Sequence, residues 1–206
     1  MRRYIIPHAL PETETKNPDP PLCEQGKQQA KQTAERLAGE NFSGTIYTSP
    51  YRAAMETAQI IAARCQALFY PLPALACQMP FRIDRAFPGL SLDEMKTLYP
   101  TFSPFAKLDY PWWPEFGEAR FEVDARIAAA LPKVDFGGRE LIFICHADSE
   151  SALLRHYAIP RQRGIRAMHC CITMFEPARP EEKGWFRDCT HLPPELQTPI
   201  SASVSI

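Results

Sequence analysis

The chain has 206 residues, of which 45% are hydrophobic and 23% charged, a composition typical of one globular domain. Its formal net charge of -1 provides no general attraction for nucleic acid or an anionic membrane surface, so we expect neither as a partner. The start, Met1-Arg2-Arg3, leads straight into a short strand without the apolar region of a signal peptide. No two of the seven cysteines have metal-binding or redox spacing, which predicts reduced thiols in a cytoplasmic protein.

Short strands and helices alternate through the first third of the chain. The predicted elements are a strand over residues 3–6, a helix over 24–38, a strand over 44–47 and a helix that begins at residue 50. Gly39 is the expected end of the first helix. Ser49 is the expected N-cap of the second helix, because Pro50 then occupies the first helical position, where proline is favoured.

Residues 71–116 have poor periodicity and many prolines, which predicts a lid or small insertion within a single domain spanning 1–206. A short helix over 91–98 is expected inside this segment, with Ser91 and Glu94 forming a capping box. Trp112 and Trp113 follow in a loop. These aromatic residues suit an apolar or aromatic leaving group of a substrate, but packing in the core explains them equally well.

The rest of the chain continues the alternation. Its predicted elements are a helix over 117–131, a buried strand over 141–145, a helix over 149–157 and two strands over 169–175 and 185–188, the last near a sheet edge. The whole pattern predicts an α/β fold of three layers, α/β/α, around a mostly parallel central sheet.

Three residues with useful chemistry follow the ends of predicted strands, where ligands bind in open parallel sheets. His8 and His146 each end a strand, and Arg52 lies in the first turn of a helix. A cation is unfavourable at that position unless an anion binds there. Together they provide a nucleophile, a hydrogen-bond partner and a planar cation for phosphate oxygens. A solvated arginine and ordinary loop or core histidines are the alternative interpretations.

Zinc binding is an alternative role for the same histidines. His8, His146, Asp148 and His191 are the potential ligands, but they lack the paired spacing of a helical or cysteine-based zinc site. A Ser-His-Asp hydrolase is disfavoured because the chain has no Gly-x-Ser-x-Gly motif.

Further motifs fall in order along the chain. They are the strand before His8, PLCEQGKQQA at 21–30, SPYRAAMETA at 49–58, PGLSLDE at 88–94, FGE at 116–118, LIFICH at 141–146 and DCTHL at 188–192. This series resembles the histidine phosphatase superfamily, which has the phosphoglycerate mutase-like fold. The resemblance implies that His8 accepts phosphate as the nucleophile, Arg52 binds phosphate oxygens and His146 stabilises the transferred phosphoryl group. It also implies a small phosphorylated substrate and neither a metal nor an organic cofactor.

One departure from the family pattern removes a cation. The family triplet Arg-His-Gly is Pro7-His8-Ala9 here, and proline supplies neither a guanidinium nor a backbone N–H. Losing one well-aimed donor to an oxyanion typically costs about a hundred- to a thousandfold in rate. Arg82 and Arg85 are the candidate replacements.

Two acidic positions also differ. The family acid is normally a glutamate in the lid, where this chain has Phe81, and Asp84 is the nearest acid and therefore the candidate catalytic acid. After His146 the family has Gly-Gly, whereas this chain has Ala147-Asp148. The Asp148 carboxylate either opposes a bound phosphate or caps the following helix.

The resemblance implies a phosphomonoesterase that acts through a phosphohistidine on His8. A mutase is less favoured, because it must hold two phosphates and residues 78–90 offer only Arg82 and Arg85 as cations. One alternative is an impaired relative that binds a phosphorylated ligand or a partner without turnover. Another is a protein that keeps only the fold.

Overall fold

The computed structural model describes residues 1–13, 17–78, 89–113, 117–135, 138–160, 167–177 and 185–200. In these residues the strands are β1 (Arg3–Pro7), β2 (Gly44–Thr48), β3 (Phe69–Pro71), β4 (Glu140–Cys145), β5 (Ile172–Phe175) and β6 (Trp185–Asp188). They form a sheet of order β3-β2-β4-β1-β5-β6. The first four in this order pair in parallel, and β5 and β6 are antiparallel, so the sheet is mostly parallel, as predicted.

The α-helices of the described residues are α1 (Glu24–Gly39), α2 (Arg52–Cys65), α3 (Leu92–Leu98), α4 (Arg120–Val134) and α5 (Ala147–His156). Helix α1 packs against α2, and α4 packs against α5. No helix in this part of the chain is long and apolar enough to cross a membrane.

Alternate residues of the central strands face two different helical layers. In β4, Ile142 and Ile144 belong to the core that includes residues of α1 and α2. Leu141 and Phe143 belong to the core formed with α4 and α5. Each such fully buried side chain contributes about 1.5–3 kcal/mol through removal of apolar surface from water. Burial on both faces explains the unbroken apolar run of β4 and confirms the predicted three-layer α/β/α fold.

Helix α2 begins later than its sequence predicts. Tyr51 occupies the N-cap position and provides no side-chain cap, so the prediction that Ser49 caps this helix is wrong. The Asp19 carboxylate instead accepts a hydrogen bond from the Arg52 amide, with an N–O distance of 2.7 Å. A loop residue distant in sequence thus satisfies an amide in the first turn of the helix. The Ser49 hydroxyl contacts His146 instead.

Two other helix boundaries differ from the prediction. Helix α4 begins and ends three residues later than expected and includes Pro132 in its last turn. Helix α5 begins at Ala147, with His146 at the N-cap position, and Asp148 is an exposed residue of its first turn. The interpretation of Asp148 as the helix cap is therefore wrong. The N-cap residue is His146, whose amide donates a hydrogen bond to the Ser149 hydroxyl at 3.0 Å.

The segment between β3 and α4 contains a 3₁₀ turn, Pro73–Leu75, and α3. The sequence pattern missed both β3 and this turn. The predicted capping box of α3 is confirmed, because the Ser91 side chain accepts from the Glu94 amide and the Glu94 side chain accepts from the Ser91 amide. Trp112 is buried in the core and donates its indole N–H to the Leu90 carbonyl oxygen at 3.0 Å.

The prediction that all seven cysteines are reduced is wrong. Cys171 and Cys189 form a disulfide, with a Cα–Cα distance of 4.8 Å. The antiparallel register that pairs Ile172 with Asp188 brings the two cysteines opposite each other. Their proximity depends on strand pairing, which their spacing in the sequence does not reveal.

Candidate active site

The two histidines at the strand ends lie side by side. Strands β1 and β4 are parallel and pair Pro7 with Cys145, so the next residue of each strand reaches the same edge of the sheet. The ring centroids of His8 and His146 are 4.7 Å apart, and the rings meet edge to face. The His8 amide also donates to the Cys145 carbonyl oxygen at 2.9 Å. The sheet register therefore fixes the spacing between the two imidazoles.

The His8 ring is held in one orientation by a contact with the backbone of the next residue. Its Nδ1 lies 2.8 Å from the carbonyl oxygen of Ala9, which can only accept a hydrogen bond. The tautomer assigned by this contact has the proton on Nδ1 and the lone pair on Nε2. Burial, reinforced by the neighbouring His169, lowers the pKa of His8 to about 3. The imidazole is therefore neutral at physiological pH, with an unprotonated ring nitrogen.

A third histidine, which the sequence pattern missed, supports His8 from the other side. The Nδ1 atom of buried His169 lies 2.7 Å from the His8 carbonyl oxygen, and the two ring centroids are 5.4 Å apart. The next amide, from Cys170, donates to the Pro7 carbonyl oxygen at 3.0 Å. The sequence shows His169 only as the start of an apolar strand. The antiparallel direction of that strand brings it to His8.

His146 is oriented by contacts on two sides. The Oγ atom of buried Ser49 lies 2.9 Å from His146 Nε2, and the Tyr51 ring meets the imidazole edge to face at 5.0 Å between centroids. Burial and the neighbouring His8 ring hold the pKa of His146 well below its usual range. A neutral, fixed imidazole can hydrogen-bond to a phosphoryl group without competing for the proton of His8.

Arg52 is the first residue of helix α2 and follows Ser49 by three residues. Because Ser49 contacts His146, Arg52 lies at the same edge of the sheet as His146. The carboxylate of fully buried Asp19 accepts from the Arg52 amide, and its other oxygen lies 3.8 Å from Arg52 Nε. Within the described part of the chain, neither Arg52 Nε nor Asp19 Oδ2 has a hydrogen-bond partner. Burial raises the pKa of Asp19 to about 7. The guanidinium thus retains capacity for an anion.

The sequence offered Asn17-Pro18-Asp19 only as part of a proline-rich loop, so it gave no sign that Asp19 reaches Arg52. An Asx-type contact, from the Asp19 amide to Asn17 Oδ1 at 3.0 Å, shapes this turn.

The remaining residues singled out from the sequence are the candidate acid, the candidate replacement arginines and the proline before His8. Asp84, Arg82 and Arg85 lie in residues 79–88, outside the described residues. Pro7 is buried within β1, where its carbonyl oxygen accepts the hydrogen bond from Cys170. The position of the family arginine therefore supplies backbone support and no charge.

The zinc alternative receives no support from the described residues. His191 contacts the hydroxyl of Thr33 through its Nε2 at 3.0 Å, on helix α1. Among the residues that the structure describes, no group of three or more histidine, cysteine, aspartate or glutamate side chains is arranged to hold a metal ion.

Comparison with known sequences identifies a family. The family model described as the histidine phosphatase superfamily (branch 1) matches residues 4–186. Phosphoglycerate mutase-like protein 4 of Arabidopsis thaliana is 48% identical over 50 residues, which make up 24% of this chain. The match spans only 22% of the length of that relative.

Comparison with solved structures shows the same fold. The ecdysone phosphate phosphatase from Bombix mori, in complex with tungstate, has a TM-score of 0.68 and 18% identity over 98% of this chain and 95% of its own. A mycobacterial glucosyl-3-phosphoglycerate phosphatase in complex with inorganic phosphate has a TM-score of 0.58 and 20% identity over 93% and 97%. At these identities the similarity concerns the fold alone.

Proposed function

The chain belongs to the histidine phosphatase superfamily (branch 1), and from this premise we propose that it is a phosphomonoesterase that acts through a phosphohistidine on His8. The observation that carries the proposal is the state of the His8 ring. It is neutral, its Nδ1 is fixed on the Ala9 carbonyl oxygen, its Nε2 keeps a lone pair, and the ring lies beside that of His146. These are the requirements for nucleophilic attack on phosphorus.

In the first proposed step, His8 Nε2 forms a bond to phosphorus and the bond from phosphorus to the ester oxygen breaks. The ester oxygen takes the electron pair and a proton, for which Asp84 is the candidate donor. The imidazole becomes positively charged as the new bond forms, and the Ala9 carbonyl oxygen, 2.8 Å from Nδ1, stabilises that charge.

In the second step, water attacks phosphorus and gives a proton to the Asp84 carboxylate, which restores the acid, and the bond to Nε2 breaks and returns its electron pair to the ring. The net reaction converts a phosphate monoester and water into an alcohol and inorganic phosphate. We assign Arg52 to the phosphate oxygens and His146 to hydrogen bonding with the transferred phosphoryl group, since both lie on the edge of the sheet that carries His8.

Binding of a phosphorylated ligand without turnover is the second candidate function, and Pro7 is the observation that favours it. The family arginine would place a second guanidinium beside the transferred phosphoryl group, and the buried proline ring supplies none. A parent protein without turnover that binds vanadate, together with activity gained in Pro7→Arg, would favour this second function.

Hydrolysis of an aryl phosphate such as p-nitrophenyl phosphate, near pH 6 and without added metal, tests the proposed function. We expect turnover by the parent protein and its loss, by at least about a thousandfold, in His8→Ala. His156→Ala is the matched control, because His156 is an exposed histidine at the end of α5 and should leave the rate unchanged. Equal rates for the parent and His8→Ala would refute the phosphohistidine mechanism.

A further inference from the structure

A cavity of about 320 Å³ lies between the segment that follows β3 and the two consecutive tryptophans. Part of its lining comes from Trp112 and Trp113, and another part from Pro73, Ala74, Ala76 and Cys77. The proposed chemistry at His8 uses none of these side chains. The position, charge and size of the cavity together indicate which group it can hold.

The cavity lining is connected directly to His146. The Tyr51 ring lies 5.0 Å from the His146 ring and 5.1 Å from the Trp112 ring, measured between centroids. Tyr51 also shares a side-chain hydrogen bond with Cys77, which lines the cavity. One aromatic ring therefore separates the imidazole from the cavity wall.

A second connection runs through the start of helix α5. The Ser149 hydroxyl accepts from the His146 amide at 3.0 Å and donates to the Leu75 carbonyl oxygen at 2.8 Å. The loop of residues 73–77 is thus fixed to the backbone of His146. The cavity therefore lies next to side chains that contact His146.

The charged residues in the lining are already paired with the protein. Arg126 Nε donates to the Glu118 carboxylate at 2.9 Å. The remaining guanidinium N–H groups donate to the backbone carbonyl oxygens of residues 73, 74, 76 and 77. The indole N–H of Trp112 is engaged by the Leu90 carbonyl oxygen. A charged or sugar-like ligand group would lose its hydration here and find these donors engaged, which is unfavourable.

The two tryptophans differ in burial, which distinguishes a packing role from a binding role. Trp112 is part of the buried core, whereas Trp113 is only partly buried and packs against that core. The rings meet edge to face at 5.1 Å between centroids. Core packing thus accounts for Trp112, and Trp113 presents apolar aromatic surface to the cavity.

On the basis of the proposed function, we propose that this cavity binds the leaving group of the substrate and that the leaving group is an uncharged ring system of one or two aromatic rings. Its size supports this class, because a cavity of about 150 Å³ accommodates benzene and pockets for larger ligands begin near about 300 Å³. The substrates are then phosphate monoesters of phenols or naphthols. Phosphorylated sugars and glycerol would make no use of the cavity.

The test measures kcat/KM for 1-naphthyl phosphate and for glycerol phosphate in the parent and in Trp113→Ala. We expect the naphthyl value to fall about tenfold and the glycerol value to stay within about twofold, since only the naphthyl ring contacts Trp113. Phe105→Ala is the control, because Phe105 is an aromatic residue of the same segment that is 79% exposed and absent from the cavity lining. Trp113→Leu, which keeps apolar volume without the ring, replaces Trp113→Ala if the latter unfolds.

Calorimetric binding of 1-naphthylmethylphosphonate, whose carbon–phosphorus bond resists hydrolysis, separates this inference from the proposed function. Tight binding that weakens about tenfold in Trp113→Ala supports the cavity assignment even if no ester is hydrolysed. Hydrolysis that responds equally to Trp113→Ala for both esters overturns the assignment and leaves the proposed function intact. Failure of the parent to bind the phosphonate while it still binds vanadate also overturns it.

Discussion

The two ends of the strand pair β1 and β4 carry ionisable residues in different charge states. At the amino end, the Arg3 guanidinium pairs with Asp135 at 2.5 Å and donates to the Arg139 carbonyl oxygen at 2.7 Å. At the carboxyl end, the rings of His8 and His146 are neutral because burial lowers the pKa of each. The same two strands therefore hold fixed charges at one end and uncharged imidazoles at the other.

The difference shows which end serves stability and which can serve a ligand. At the amino end, Asp135 also accepts from the Tyr157 hydroxyl at 2.6 Å, so its oxygens are satisfied within the protein. At the carboxyl end, Arg52 Nε lies 3.8 Å from Asp19 Oδ2 and has no hydrogen-bond partner within the described residues. Ionic groups that are satisfied internally stabilise the fold, whereas a guanidinium with unused N–H donors can bind an anion.

Breaking the ion pair at the amino end should have the largest effect, and on stability alone. We expect Arg3→Met to lower the free energy of unfolding by about 3–5 kcal/mol, because it leaves the Asp135 carboxylate, whose side chain is only 14% exposed, without its cation. Urea unfolding measures this change. Turnover of the folded variant in the absence of denaturant should match that of the parent.

Arg155→Met is the matched control for that experiment, since Arg155 forms an ion pair with Asp124 whose side chains are 38% and 40% exposed. Its loss should cost less than about 1 kcal/mol. Equal effects of the two substitutions would contradict the assignment of the amino end to stability.

Arg52→Ala should give the opposite result, a large loss of function with little change in stability. We expect kcat/KM for an aryl phosphate to fall by about a hundred- to a thousandfold, and vanadate binding to weaken correspondingly, because the site loses its planar cation. Arg64→Ala is the control on the same helix, since Arg64 is half exposed and pairs with Glu35. Unchanged vanadate affinity in Arg52→Ala would remove Arg52 from the site.

Acid should weaken the fold through the neutral histidines. The unfolded chain protonates His8 near pH 6.5 and the folded chain only near pH 3, so stability from this residue is lost as pH falls through that window. At pH 5 the loss amounts to about 2 kcal/mol for His8. Asp19 acts in the opposite direction, because its pKa is raised from 3.8 to about 7 by burial.

Unfolding free energies of the parent and His8→Gln at pH 7 and pH 5 isolate the contribution of His8, since Asp19 is common to both. The variant should lose about 2 kcal/mol less than the parent on acidification. The exposed His156→Gln should behave like the parent. An identical pH dependence in His8→Gln would mean that His8 is not held neutral by the fold.

The sequence predicts what depends on local pattern and on parallel strand direction. His8 and His146 could be placed together because each directly follows an apolar strand of a parallel sheet. His169 could not, because nothing local shows that β5 runs antiparallel beside β1. The same lack of information about strand pairing concealed the disulfide between Cys171 and Cys189.

Contacts between distant parts of the chain explain the remaining errors. Ser49 and Pro50 are a typical helix start, yet the Ser49 hydroxyl contacts His146 and the carboxylate that caps α2 comes from Asp19. Arg126 of α4 donates to the carbonyl oxygens of Ala74 and Ala76, a contact that the helical pattern around Arg126 does not reveal. Such contacts depend on tertiary structure, which sequence periodicity does not encode.

The most direct test of the account is detection of the covalent intermediate. The protein would be mixed with 1-naphthyl phosphate, quenched in alkali within the first turnover, digested and analysed by mass spectrometry. We predict one added phosphoryl group on the peptide that contains His8 and none in His8→Ala. Turnover without a phosphorylated His8 peptide, or with the phosphoryl group on another residue, would contradict His8 as the nucleophile.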